Sequence, residues 1–297
     1  VLWALFTLFA ATAQTARNAM QRDLIARLGT IGATEVRFLF GLPFGVLLLG
    51  LALTVTGEAL PAFNARFIGW AFVGGATQIA ATALMLKAMR ARSFVVTTAY
   101  TKTEPVQVAL FGLIFLGDAL TPLLGLAILV ATAGVMVLGW PAAQAGGDRP
   151  APLSVPALMG IAAGGLFALS AVSFRGGIHA LPEGSAWVRA STTLATGLAL
   201  QTAGLALYML IRDRATLAAI FRAWRPSLVA GLMGALASQF WFLGFALTTA
   251  ARVRTLALIE VFFAYAISGR IFNEPISRRE MAGMALVVIG VGLALNA

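Results

Sequence analysis

Cysteine is absent from this 297-residue chain, and histidine occurs once, at position 179. Disulfides and thiolate metal sites are thereby excluded, and no histidine cluster for metal binding can be assembled. Charge is scarce too: Asp, Glu, Lys and Arg make up 11% of the residues, where a soluble domain carries about 25%. There are only 11 acids against 21 lysines and arginines. No Walker-type phosphate loop, G-x-S-x-G or H-E-x-x-H occurs, so neither ATP drive within this chain nor a familiar hydrolase site is expected. The reading is of a non-enzyme without a cofactor. His179, in GGIHALPEG, is expected in a solvated loop.

What fills the chain instead is apolar: 60% of it is hydrophobic, and the mean hydropathy is +0.91. Too little polar surface exists to coat a water-exposed globule of this size, so the lipid bilayer is the expected environment. The net charge of +10 does not point to nucleic acid, because the basic residues sit in short gaps between apolar runs. A crossing helix needs about 20 apolar residues. Ten segments fit: 1–19, 36–55, 67–87, 94–116, 122–140, 154–174, 187–211, 226–248, 253–272 and 280–296. TGEALP at 56–61, GDALTP at 117–122 and NEPISRR at 273–279 punctuate them, and RDRATLAAIFRAWRP at 212–226 reads as an amphipathic surface segment. The first segment reads as a membrane span rather than a cleaved signal.

The Pro/Gly/Ala-rich stretch 141–153 divides the chain into 1–140 and 154–297, and the two parts echo each other. ATQ at 76–78 matches ASQ at 237–239, and Val36-Arg37 matches Val188-Arg189, with Gly45 and Gly197 following at equal distance. At one constant offset Glu104 matches Glu260, Asp118 matches Glu274, Thr121 matches Ser277, and Gly134-Val135 matches Gly290-Val291. Five spans per part is an odd number, so the second part enters the bilayer from the opposite side. The expected fold class is therefore an all-α integral membrane protein of ten transmembrane helices in two inverted five-helix repeats. Most arginines fall in the odd-numbered loops, among them Arg17, Arg22, Arg27, Arg212 and Arg214, while Arg66, Arg175, Arg252 and Arg254 fall on the other side. The positive-inside rule then places the odd-numbered loops in the cytoplasm of a cell (inner) membrane protein.

The order of these motifs resembles a known family. Segment 94–140 carries Thr103-Glu104-Pro105, then FLGDALTP, then a glycine-bearing helix; IEVFFAYAISGRIFNEPIS at 259–277 and GMALVVIGVGLAL at 283–295 repeat the sequence of features. This is similar to the EamA-type branch of the drug/metabolite transporter superfamily, across essentially the whole chain. The resemblance implies a ten-helix carrier of small metabolites, often an exporter of amino acids or related compounds. Two departures stand out. Such carriers commonly have cytoplasmic termini, opposite to the arginine bias here, and Glu260 precedes valine where Glu104 precedes proline.

Polar residues within the spans are the candidate site. Thr97, Tyr100, Glu104, Gln107 and Phe111 share one helix face at spacings of three and four, a stripe too costly for lipid. Pro105 lacks an N–H, is expected to kink that helix, and frees the Thr101 carbonyl. Glu104 either lines a cavity and takes part in coupling or only ties helices together. Lys102 points to another face, where it reaches a neighbouring helix, pairs with an acid such as Glu260, or snorkels to the interface. Gln78 and Gln239 grip a solute or bond neighbouring helices. Gln14, Arg17, Asn18 and Gln21 share a face of the first span, with Arg17 read as either its interfacial end or part of the site. Arg37 and Arg189 read first as interface anchors. Trp241 packs or lines the cavity. The expected substrate contacts are Gln14, Gln78, Tyr100, Glu104, Gln107, Gln239, Trp241 and Glu260, with Glu104 and Lys102 in coupling. The expected partners are a small-molecule substrate and the bilayer, with no nucleic acid. Two other readings remain open, a non-transporting scaffold or sensor and a multidrug exporter of organic cations.

Overall fold

The computed structural model describes residues 1–91, 100–139, 155–260 and 278–297, which form helices and no strand. Five segments of these residues are long and apolar enough to cross a membrane: Leu24–Thr56, Ala65–Ala88, Ala157–Ala180, Ala186–Arg212 and Trp224–Leu247. Large apolar side chains cover much of the exterior, including Leu47, Val55, Phe72, Ile114 and Leu129. Exposed apolar surface of that extent fits lipid and not water. The described residues are all-helical, and their long apolar helices are compatible with a multi-pass membrane protein. The stretch 141–153, Thr97, Glu274 and Ser277 lie outside the described residues.

The helices, in chain order, are α1 (Leu2–Leu39), α2 (Leu42–Thr56), α3 (Ala65–Ala91), α4 (Glu104–Leu116), α5 (Pro122–Gly139), α6 (Val155–Ala180), α7 (Ala186–Arg212), α8 (Arg214–Arg222), α9 (Trp224–Leu247), α10 (Ala250–Leu256, continued by a 3₁₀ turn over Ala257–Ile259) and α11 (Arg278–Leu295). Their ends follow local chemistry. Ser185, Asp213 and Thr249 accept hydrogen bonds from backbone N–H groups in the first turns of α7, α8 and α10, the usual role of an N-cap. Gly57 and Gly117 stop α2 and α4 in the left-handed conformation, which costs glycine least. The segment read as amphipathic contains α8, with Ile220 buried and Arg214 and Arg222 exposed.

Three sequence expectations change. The first span does not end near residue 19. Helical structure runs on to Gly29, whose φ of 69° and ψ of −178° fold α1 back on itself. Across this hairpin the Gln21 side-chain amide donates to the Ala33 carbonyl, and Arg17 and Arg37 flank the same glycine, Gly234. Arg17 is therefore not an interfacial end but sits ~20 Å of helix from either end of the first limb, at 1.5 Å per residue. Second, Pro105 does not kink a long helix. It occupies the first turn of α4, where its missing N–H disturbs nothing, and the break falls in the turn before it. Third, His179 lies in the last turn of α6 rather than in a loop.

Three helix pairs dominate the packing, α3 with α6, α1 with α9 and α5 with α11, and α4 with α6 and α2 with α7 follow. In the α5–α11 seam the two backbones nearly touch. A Cβ at Gly134 would meet the Gly283 carbonyl oxygen and the Val287 nitrogen at 2.7 Å, and one at Gly290 would meet the Ala131 nitrogen at 2.5 Å and the Ala127 carbonyl oxygen at 2.8 Å. Advancing along α5 means retreating along α11, so the two helices run antiparallel. The offset from Gly134 to Gly290 is also that from Ala127 to Gly283 and from Ala131 to Val287. Exchanging the two helices thus maps this set of contacts onto itself. The main core lies elsewhere, around Phe174, Trp241, Phe242 and Phe245, with the Phe174 and Phe242 rings 4.7 Å apart.

At one end of the bundle, Arg175 Nη1 donates to Asp118 Oδ1 at 2.6 Å, and its Nε donates to the Thr248 carbonyl at 3.1 Å. Asp118 therefore ties the α4–α5 turn to α6 and α9 in addition to ending a helix. Both side chains keep some solvent contact, so Arg175→Ala is expected to cost only about 1 kcal/mol, read as a small fall in thermal midpoint in detergent.

Candidate functional site

Two helix breaks carry the charges. Ahead of α4 the chain turns through Lys102 and Thr103, with the Thr103 hydroxyl donating to the Tyr100 carbonyl at 2.9 Å, and α4 begins at Glu104. The turn approaches α6 closely: a Cβ at Gly164 would lie 2.8 Å from the Thr101 carbonyl oxygen. In the second part of the chain, α10 tightens into the 3₁₀ turn immediately before Glu260. Irregular backbone at membrane depth is tolerated where it meets protein or lines a cavity. Both matched acids thus stand at a helix irregularity.

The two breaks face each other, and their charges cross. Lys102 forms an ion pair with Glu260. Arg254 Nε stands 3.1 Å from Glu104 Oε1, although the N–H is not aimed for a hydrogen bond and neither atom has such a partner among the described residues. Each break therefore supplies one acid and one base, and each acid is matched by the base of the other. All four side chains are at most 10% exposed. The Arg254 guanidinium lies over the Trp241 ring at 4.3 Å and near the Phe245 ring at 5.5 Å, so cation–π attraction holds it as well. Trp241 Nε1 donates to Gln14 Oε1 at 3.2 Å, and Gln14 Nε2 donates to Glu260 Oε2 at 3.4 Å. One chain of contacts thus runs from the aromatic core through Gln14 to the Lys102–Glu260 pair.

Between these groups lies a small, partly open cavity. Gln14, Arg17 and Asn18 line it from α1, Lys102 and Glu104 from the α4 break, and Arg254 and Glu260 from the α10 break, with Met85, Thr101 and Phe167 completing the wall. The space open to the centre of a water molecule is about 30 Å³, room for about two waters. A solute of amino-acid size needs the walls to part. Among the described residues no group of three or more His, Asp or Glu could hold a metal ion.

The structure brings Gln14, Lys102, Glu104 and Glu260 to one cavity and holds Trp241 at its edge. It does not bring the remaining candidates there. Gln78 accepts from the Gln201 side chain at 2.8 Å, joining α3 to α7. Gln239 donates to Ser191 Oγ at 3.0 Å, joining α9 to α7. Gln107 faces α6 and donates to the Ile161 carbonyl at 3.4 Å. Tyr100 is half-buried and does not line the cavity. Arg37 is not an interface anchor: it is 3% exposed and its Nη1 donates to Thr82 Oγ1 at 3.1 Å. Arg17 and Arg254 are buried as well, so neither counts as a loop charge. Sequence reasoning passed over Glu35, which is fully buried with both carboxyl oxygens unpartnered among the described residues. The available signal was an acid one residue ahead of Val36-Arg37 at the head of an apolar run.

No family profile matches the chain, and no curated protein does. Solved structures do. One crystal structure superposes with a TM-score of 0.69 at 19% identity, over 98% of this chain and 95% of that one. That likeness establishes a shared fold over nearly the full length and carries no information on substrate.

Proposed function

We propose that this protein is a secondary transporter of small metabolites that works by alternating access between two inverted five-helix repeats. The EamA-type resemblance makes it most simply an exporter of amino acids or related compounds. The observation that carries the reading is the crossed pair of ion pairs, Lys102–Glu260 and Glu104–Arg254, set in a cavity between two helix breaks. Ionisable groups inside a membrane protein mark solute or ion pathways, and broken helices facing each other at a repeat interface are the usual place for a carrier's site. The antiparallel α5–α11 seam supports inversion, since its contacts repeat at the offset that also relates Glu104 to Glu260.

In this mechanism the cross-pairs join the two halves across the cavity. An entering solute that carries charge or strong hydrogen-bonding groups competes for those partners, loosens the cross-links, and lets one half rock against the other. Empty, the pairs re-form and hold the halves together. Arg254 stays anchored on Trp241 throughout, so Glu104 is the partner that exchanges. The test is counterflow of labelled amino acids in proteoliposomes, with and without a pH gradient, using wild type and Glu104→Gln. Uptake in wild type that is lost in Glu104→Gln is the expected result. Absence of uptake across an amino-acid and organic-acid panel, or an unaffected variant, removes the reading.

A further inference from the structure

The crossed ion pairs leave one charge over. Arg17, Lys102 and Arg254 line the cavity with three positive charges, and Glu104 and Glu260 supply two negative ones. Lys102 and Arg254 are each taken by an acid, so Arg17 is the surplus. It is 2% exposed, and its Nη2 donates to Asn18 Oδ1 at 2.7 Å. Its Nε and Nη1 have no hydrogen-bond partner among the described residues, nor does any carboxylate there reach ion-pair distance of it. A buried guanidinium with unmatched donors is costly. Glu260 attracts it from beyond ion-pair distance, but that acid is already held by Lys102, and Arg37, on the second limb of α1, comes to the same glycine, Gly234, and adds a second positive charge.

We infer that Arg17 is the anchor of an anion subsite and that the solute carries a carboxylate. This rests on the transporter reading and narrows it to a chemical class. A single negative charge balances the lining. A guanidinium is the side chain best matched to a carboxylate, and room for about two waters is room for one such group, with the rest of the solute entering as the walls part. Neither acid is free to receive a cation, because each already faces a base. Recognition through a substrate amine or a bulky organic cation would have to displace Lys102 or Arg254 from its acid, whereas a carboxylate at Arg17 displaces nothing.

The experiment uses the full chain purified in detergent, with sodium acetate as the probe and tetramethylammonium chloride at equal ionic strength as the control. Acetate is expected to raise the thermal midpoint saturably, and the control is not. Arg17→Gln is expected to weaken the apparent acetate affinity at least tenfold, and Arg17→Lys to retain part of it. A rise with tetramethylammonium instead, a rise with inorganic phosphate but not acetate, or an acetate effect untouched by Arg17→Gln overturns the assignment. Should Arg17→Gln not fold, the native absence of cysteine supplies a second measurement. Asn18→Cys is labelled with a maleimide, and acetate is expected to slow the reaction; no slowing up to saturating probe overturns the subsite. The two readings separate cleanly. Acetate binding without flux of any solute keeps the subsite and removes the carrier, while flux of cations with no acetate effect keeps the carrier and removes the subsite.

Discussion

Lys102→Met is expected to destabilise the protein by about 3–5 kcal/mol, whereas Lys102→Met combined with Glu260→Gln should recover most of that loss. The single change leaves the Glu260 carboxylate buried with only the long hydrogen bond from Gln14. The double change removes both charges, and the new amide oxygen can still accept from Gln14. The coupling energy of this cycle measures what the pair is for. Had the lysine been present merely to reach the interface, the two changes would add and the double variant would be the worse. The other pair behaves differently. Arg254→Met with Glu104→Gln balances charge too, but it also strips the cation from the Trp241 face, so about 1–2 kcal/mol should stay lost. Unfolding of detergent-purified variants checks both cycles. Additivity at Lys102 and Glu260 is the outcome that sinks the crossed-pair description.

That description was half legible in the sequence. Glu104 and Glu260 stand out because an acid between runs such as LALI and VFFAY has no cheap explanation, and pairing with Glu260 is one of the three roles the sequence offers Lys102. Their partners were harder to read. Arg17 and Arg254 look like loop charges because each lies within a few residues of an expected span end. Only the bend at Gly29, which extends the first limb past residue 19, puts Arg17 in mid-helix. Hydropathy windows cannot find that bend, since a helix of alternating polar and apolar turns averages to an interface. Gln78 and Gln239 failed as cavity residues for a different reason. A lone amide in a span satisfies itself equally well on a solute or on a neighbouring helix, and spacing does not tell which neighbour is near. Pro105 illustrates the remaining gap: one residue type kinks a helix in its middle and starts it at its end.

Gly134→Ala and Gly290→Ala should cost the protein alike, about 3 kcal/mol each. Either methyl group would land within 2.8 Å of backbone atoms on the opposite helix, not of a flexible side-chain end. Helices cannot step aside one residue at a time, so the seam must open along its length or the turn must distort. Close backbone approach of this kind is how helices gain contact in lipid, where no hydrophobic drive pushes them together. The equality is the informative part. It follows from the exchange relation between α5 and α11, in which Gly134 meets Gly283 and Val287 while Gly290 meets Ala127 and Ala131. Gly125→Ala, on the same helix but with open space at its Cβ, serves as the control and should be neutral or slightly stabilising. Thermal midpoints of the three variants decide the matter. A large loss at Gly290 beside none at Gly134 would mean that the seam is a local accident of two sequences, and the matched offset would lose its value as support for two halves built on one plan.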